Sequence, residues 1–365
     1  VSALPRIPVR HLARLFAVVL TGVSAGSLSG QAVEPRAPVE RTEVGGRMHM
    51  QFATTSVDGV PSSEFVLRRA RIWAAARVNE WIDGAVQVDF SNGQVSARYA
   101  FVRFSMDPAL RVSVGQFKRA FDLFELTSSS EILVVERDGQ IEGVDACGAL
   151  GGVCSYSRFS EKLQFSSLDV GILLQGDLAE GKVGYLVSVT NGPGGNQAED
   201  NDAKSWSSRL EWRPRSGVTV GGNLGMHDFT NPVLGVATYA PVGAVDVELG
   251  DFDRGFHLQA GVMTGENWRN LDAGGAGSRF LAAQTIATYR VPVEGNGKVR
   301  AVEPVARVSW GDPDRGRGGD GGVLLTPGVV LHFEGRNKIG VNLDGWRGRA
   351  GETAWGLKLQ SYLYF

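Results

Sequence analysis

"GLKLQSYLYF" closes the chain, from Gly356 to Phe365, and read with a period of two it separates into two unlike faces. Leu357, Leu359, Leu363 and Phe365 fall on one side, with Ser361 alone breaking the row, while Lys358 and Gln360 fall on the other. Such a strand asks for an apolar environment on one face only. A soluble domain more often ends in a frayed polar tail.

The same theme runs upstream from residue 44: eight to fourteen residues alternating apolar with polar or small, then a turn rich in Gly, Asp, Asn or Pro, with almost no helical periodicity. Sixteen strands are predicted, starting near residues 44, 65, 84, 95, 109, 167, 182, 205, 217, 242, 255, 279, 298, 323, 337 and 353. Their connections alternate in length. Short ones, such as "NEWID", "SMDPA", "LAEG" and "EGRN", follow the even strands. Longer ones follow most odd strands: "DGVPSS", residues 117–166, "NGPGGNQAEDNDAK", "DFTNPVLGVATYA", "TGENWRNLDAGGAG" and "GDPDRGRGGDG". Short turns on one rim and long loops on the other are the rhythm of an even-stranded transmembrane barrel. "SNGQ" and "GRAGE" are short where that rhythm expects length.

Alternation alone would also suit a soluble sandwich. In "LDVGILLQGD", Leu168, Val170, Ile172 and Leu174 oppose Asp169, Gly171 and Gln175, and in "GAVDVELGD", Val245, Val247 and Leu249 oppose Asp246 and Glu248. A polar inner face repeated over sixteen segments favours the barrel, because a closed soluble core needs apolar residues inside. The fold expected over residues 44–365 is therefore all-β, a sixteen-stranded antiparallel transmembrane β-barrel. Pro304 and Pro327 fall inside predicted strands, where they count against the barrel unless they mark bulges.

Before the barrel, Arg6, Arg10 and Arg14 precede the apolar run "LFAVVLTGVSAGSLSG", and small residues end it at Ala32. Residues 1–32 read as a secretory signal, too short in their apolar part for a membrane anchor, and residues 33–43 as a short periplasmic segment. Removing the signal takes away three arginines and no acid, which leaves a mildly acidic remainder. That balance argues against a nucleic-acid partner, which calls for a basic face. Cys147 and Cys154, the two cysteines, lie in "DACGALGGVCSY" inside the longest connection. In an exported protein they are expected to pair, shaping that loop locally; without a nearby histidine cluster they make a poor zinc site. No cofactor is expected.

"FVLRRARIWAAARV", residues 65–78, carries the chemistry. Ala70, Ile72, Ala74, Ala76 and Val78 share one face and Arg69, Arg71 and Arg77 the other. An arginine facing lipid near mid-membrane costs roughly 2–4 kcal/mol, so these three are expected to face the lumen, and Arg68, of opposite parity, to lie near a loop where the cost is small. Arg111, then Lys118 and Arg119 where the fifth strand enters the longest connection, extend the basic series. Guanidinium forks bind phosphate and carboxylate oxygens, and a spaced series offers an anion successive weak sites. The competing reading pairs these charges with Asp83, Asp89 or neighbouring acids. An outer-membrane enzyme would need a serine, a histidine and an acid to converge, but His49, His227, His257 and His332 lie on different strands with no nucleophile motif beside them.

These stretches resemble a known family, the phosphate-selective porins O and P. The resemblance is carried by "LRRARIWAAA", "VSVGQFKRAFDLFELTSSSEILVVER", "VTNGPGGNQAEDND", "EPVARVS" and "LKLQSYLYF". It implies a trimeric barrel in the outer membrane of a Gram-negative bacterium, with the third long loop folded inward. It implies anion contact for Arg69, Arg71 and Lys118, and for Arg307 of "EPVAR". A terminal Phe365 is similar to the signal read by the barrel assembly machinery. From Lys118 to Ser166, however, five basic residues face eight acids. The expected function is a porin passing small hydrophilic solutes, anions such as phosphate or polyphosphate foremost. A general or cation-preferring porin and a structural or adhesion barrel are the alternatives.

Overall fold

The computed structural model describes residues 39–91, 93–295 and 297–365; the expected secretory signal lies outside them. Sixteen strands, each antiparallel to its sequence neighbours, form a barrel that closes where the last pairs with the first. They are β1 (Arg41–Val57), β2 (Val60–Arg77), β3 (Ile82–Asp89), β4 (Ser96–Asp107), β5 (Leu110–Lys118), β6 (Leu168–Leu178), β7 (Val183–Thr190) and β8 (Ser205–Arg215) in the first half. The second half is β9 (Val218–Thr230), β10 (Ala237–Gly250), β11 (Gly255–Asn267), β12 (Ser278–Pro292), β13 (Ala301–Asp312), β14 (Gly322–His332), β15 (Lys338–Gly348) and β16 (Thr353–Tyr364). The first strand begins at Arg41, so three residues expected to precede the barrel belong to it.

Side chains sort as the period-two pattern requires. Along β16, Leu357, Leu359 and Leu363 are exposed on the outer wall, while Lys358, Gln360 and Tyr362 are buried inside. In β6, Val170, Ile172 and Leu174 likewise face outward and Asp169 inward. The seam between β1 and β16 is built on small residues. A Cβ on Gly46 would come within 2.4 Å of the Phe365 ring, and one on Gly45 within 2.6 Å of Trp73. The two glycines thus seat one aromatic on each face of β1, and Phe365 and Gly46 exchange backbone hydrogen bonds beyond the last strand residue.

Three local expectations give way. Residues "DGVPSS" are not a long loop, because Asp58 and Gly59 alone turn the chain, both at positive φ, 49° and 82°. That is the twist a two-residue hairpin needs. Pro304 and Pro327 do not mark bulges. Pairing of β12 with β13 and of β14 with β15 lapses beside them and resumes in the same register, since proline lacks the ladder donor but fits the extended backbone. Arg68 does not lie at a loop. The β1–β2 register shifts between His49 and Met50, and Arg68 is the extra residue of that bulge.

The third outward connection, loop L3 (residues 119–167), folds into the barrel. It carries the short helices α1 (Leu123–Leu126) and α2 (Tyr156–Lys162) and the disulfide Cys147–Cys154. Phe121, Phe124, Phe159 and Leu163 of the loop pack with Phe229, Met263, Phe280 and Ile286 of the wall, the rings of Phe159 and Phe280 stacked at 5.0 Å. Fully burying such side chains contributes about 1.5–3 kcal/mol each. The loop thereby fills the lumen along β9–β14 and leaves space along β1–β5.

Candidate solute passage

Inward parity places Arg47 and His49 on β1, Arg69 and Arg71 on β2, and Tyr99 on β4 along the same stretch of wall. Two β-bulges add to it. Arg68 is the unpaired residue opposite His49 and Met50, and Arg98 the unpaired residue between Gln87 and Val88 of β3. A bulge sets two residues against one, so consecutive side chains can share a face. Arg68 with Arg69, and Arg98 with Tyr99, line one cavity of about 690 Å³ between this wall and loop L3.

Several of these cations are held. Arg68 donates to Glu136 of the loop through Nε at 2.9 Å and Nη2 at 3.0 Å, and Arg69 reaches the same carboxylate at 3.4 Å. Burial alone would push the Glu136 carboxyl up; Arg69 and Arg68 overcome this and hold it at about 2. Arg71 donates to Asp89 at 2.5 Å and to Ser129 of the loop at 3.2 Å. Lys118 donates to the Glu125 carbonyl and lies 3.7 Å from its carboxylate.

Others keep donors free. Arg47 reaches only Gln87, at 3.3 Å, and Arg98 makes no side-chain hydrogen bond or ion pair among the described residues; the Nε of each is buried without a partner. With Arg137, Lys162 and Arg336, nine basic side chains face the five acids Asp89, Glu125, Glu136, Asp138 and Glu161 around this space. The acids of the loop sit on one side and most of the arginines on the other, so the space is cationic toward the wall.

The remaining basic residues singled out from sequence lie elsewhere. Arg119 is enclosed and donates to Asp169 at 2.6 Å, to the carbonyls of Gln164 and Gly192, and lies 3.1 Å from His227. Arg307 is equally enclosed, donating to Asp344 at 2.9 Å, to Thr326, and to the Glu136 and Arg137 carbonyls at 2.8 and 2.6 Å. Both are ties that hold loop L3 to the barrel, correcting the expectation that they line the pore. Arg111 shares Asp177 with Arg213, each at 2.8 Å. Arg77 is exposed at the rim that holds the chain's end and makes no ion pair among the described residues. Asp83, proposed above as a partner, binds Arg103 instead at 2.7 Å.

Sequence reading missed Arg47 and Arg98. The first was legible in "RMHMQF", where Arg47, His49 and Gln51 alternate with Met48, Met50 and Phe52. The second was not, since simple parity turns Arg98 outward and only the bulge returns it. The fold also brings Ser205 to 3.2 Å from His227, but the nearby acid Asp228 accepts from Ser205 and not from the imidazole. That is the wrong order for a catalytic relay.

The family model described as phosphate-selective porin O and P matches residues 42–247. No curated protein matches the chain. Among solved structures, the anion-selective porin from Comamonas acidovorans is similar with a TM-score of 0.64 at 11% identity, covering 89% of this chain and 99% of its own. The outer membrane channel DcaP of Acinetobacter baumannii follows at 0.60 and 12%, covering 92% and 100%. Salmonella typhi OmpF in complex with daunomycin gives 0.57 and 12%, covering 88% and 97%. At these identities the likeness is one of fold.

Proposed function

The chain belongs to the phosphate-selective porin O and P family, and from that premise we propose that this porin favours small anions. The observation that carries the proposal is the basic excess around the cavity beside β1–β5, above all Arg47, which reaches only Gln87, and Arg98, which makes no side-chain hydrogen bond or ion pair among the described residues. Two unit charges about 4 Å apart interact by roughly 1 kcal/mol in bulk water and about 4 kcal/mol at an effective dielectric of 20. A narrow, partly desolvated passage therefore discriminates by sign. Arg69, Arg71 and Lys118 contribute to the field, each attenuated by its neighbouring acid, and the series offers an anion several weak stations. The name of the Comamonas acidovorans porin supports the reading by analogy of fold.

The same reading places the barrel in the outer membrane of a Gram-negative bacterium as a homotrimer, delivered by the barrel assembly machinery through Phe365, with lipid against its outer wall. Reversal potentials across a planar bilayer under a salt gradient test the selectivity. Chloride should permeate in preference to potassium; preference for potassium would leave a general or cation-selective porin. Cross-linking of the folded protein should give a three-subunit band, and deleting Phe365 should reduce assembly while export continues.

A further inference from the structure

Loop L4 (residues 191–204) and the loop-side end of β9 place three carboxylates together. We propose that Glu199, Asp200 and Asp228 form a calcium-class cation site at the mouth of the barrel. One oxygen from each lies within 4.8 Å of the others. Calcium takes six to eight oxygens at 2.3–2.6 Å in flexible geometry, so carboxylates from a loop and a strand end can share one ion with water, whereas magnesium demands a near-ideal octahedron at 2.0–2.1 Å.

The second observation is Asp228 itself. It is 2% exposed, and its Oδ1 is engaged by the Ser205 hydroxyl, yet its Oδ2 is buried without a hydrogen-bond partner. The Asn201 side chain interacts with the Asp228 carboxylate, but neither its amide nitrogen nor Oδ2 makes a well-formed hydrogen bond. A buried carboxylate oxygen lacking a donor is costly, and a hard cation with water would satisfy it. Asp228 and Asp200 also share a cavity of about 450 Å³ with Gln164, Gln197, Trp268 and Arg269; the two glutamines and water offer oxygens to complete the shell, and the Arg269 cation tempers the affinity.

The other members are poised differently. Glu199 takes backbone N–H groups from Asp200 and Asn201 on Oε1 and the Lys204 ammonium on Oε2, which fixes its position. Asp200 is exposed and is left to close over the ion. Gly192, opposite, has room for no side chain, because a Cβ there would come within 2.5 Å of both Asp228 oxygens. The same glycine's carbonyl accepts from Arg119, so the ion would tie loop L4 to the root of loop L3. This site does not depend on the ion preference of the pore.

The test uses the full folded chain in detergent after chelator treatment, with terbium as the luminescent probe and calcium alone as competitor. Trp268, on the same cavity, should sensitise saturable terbium emission that calcium displaces with a dissociation constant on the order of 10⁻⁴ to 10⁻³ M, the range of extracellular sites. Asp228→Asn and Asp200→Asn should each weaken calcium binding by roughly tenfold or more, as expected when ligand charge is removed. The heat-dependent gel shift reports whether each variant folds. Should Asp228→Asn fail to fold, the exposed Asp200→Asn carries the test. Absence of saturable emission and of calorimetric heat in the wild type would overturn the proposal. So would undiminished binding in the folded variants, which would put the ion elsewhere.

Discussion

The two sides of the lumen use the same side chain to opposite ends. Along β8–β16, Arg209 and Arg307 are buried with their donors taken up by Asp246, Asp344, side-chain amides and hydroxyls, or loop carbonyls, and Arg119 at the root of loop L3 is likewise spent on Asp169 and backbone carbonyls. Along β1–β5, Arg47 and Arg98 face open space with donors to spare, and Arg68, Arg69 and Arg71 are only partly satisfied by loop L3. The difference begins in the strands: inward Phe229, Met263, Phe280, Ile286 and Leu324 give β9–β14 an apolar wall, whereas inward residues of β1 and β2 include Arg47, His49, Arg69 and Arg71. That contrast decides where the loop rests. Its aromatic side chains pack against β9–β14, and the arginines beneath it become structural ties, while those it does not cover line the open cavity. An inward arginine in this barrel thus meets open space only where the loop stands away from it.

The comparison can be broken most forcefully at Arg307. Replacing it with methionine removes the bonds to Thr326, Asp344 and two loop carbonyls. Breaking a buried ion pair costs about 3–5 kcal/mol. The unboiled band should convert at a distinctly lower temperature and single-channel conductance should become noisier as loop L3 loosens; unchanged values would mean that the two sides do not differ in kind.

On the open side the effect should appear in selectivity and not in stability. Arg47→Gln with Arg98→Gln should lower the chloride-to-potassium permeability ratio severalfold while the gel-shift temperature stays within a few degrees. A ratio equal to that of the wild type would transfer the selectivity to other residues.

Acid probes the boundary between the sides, at the Glu136 tether. Its folded carboxyl is held at about 2 against an ordinary value of 4.5. A depressed carboxylate stabilises above the unfolded value and loses that contribution as pH falls through the folded one. Conductance noise from the loop should therefore stay low down to about pH 4 and rise only toward pH 2, and Glu136→Gln should show the raised noise already at neutral pH. Onset near pH 5 would show that Arg68 and Arg69 do not hold the carboxylate.

The smallest effect is expected at Arg77. Exposed at the rim and away from the cavity, Arg77→Ala should shift neither selectivity nor, beyond about 0.5 kcal/mol, stability. A clear loss of anion preference would extend the functional wall to the end of β2.

Much of this was legible in the chain because a barrel strand exposes each residue to one of two environments, and alternation records which. The sixteen strands, the outward leucines of β16, the inward Arg69 and Arg71 and the length of the third loop all follow from that local rule. Periodicity failed where the backbone leaves period two or where a partner comes from far along the chain. The bulges that turn Arg68 and Arg98 inward depend on register between strands, and a one-residue slip reverses every face beyond it. The fates of Arg119 and Arg307 were decided by residues as distant as Gly192 and Glu136. Away from the bulges, sequence alone determined which side chains face inward, since alternation is a property of each strand. Only the tertiary structure decided which of them meet a carboxylate, a loop carbonyl or a solute, since that depends on where loop L3 packs inside the closed wall.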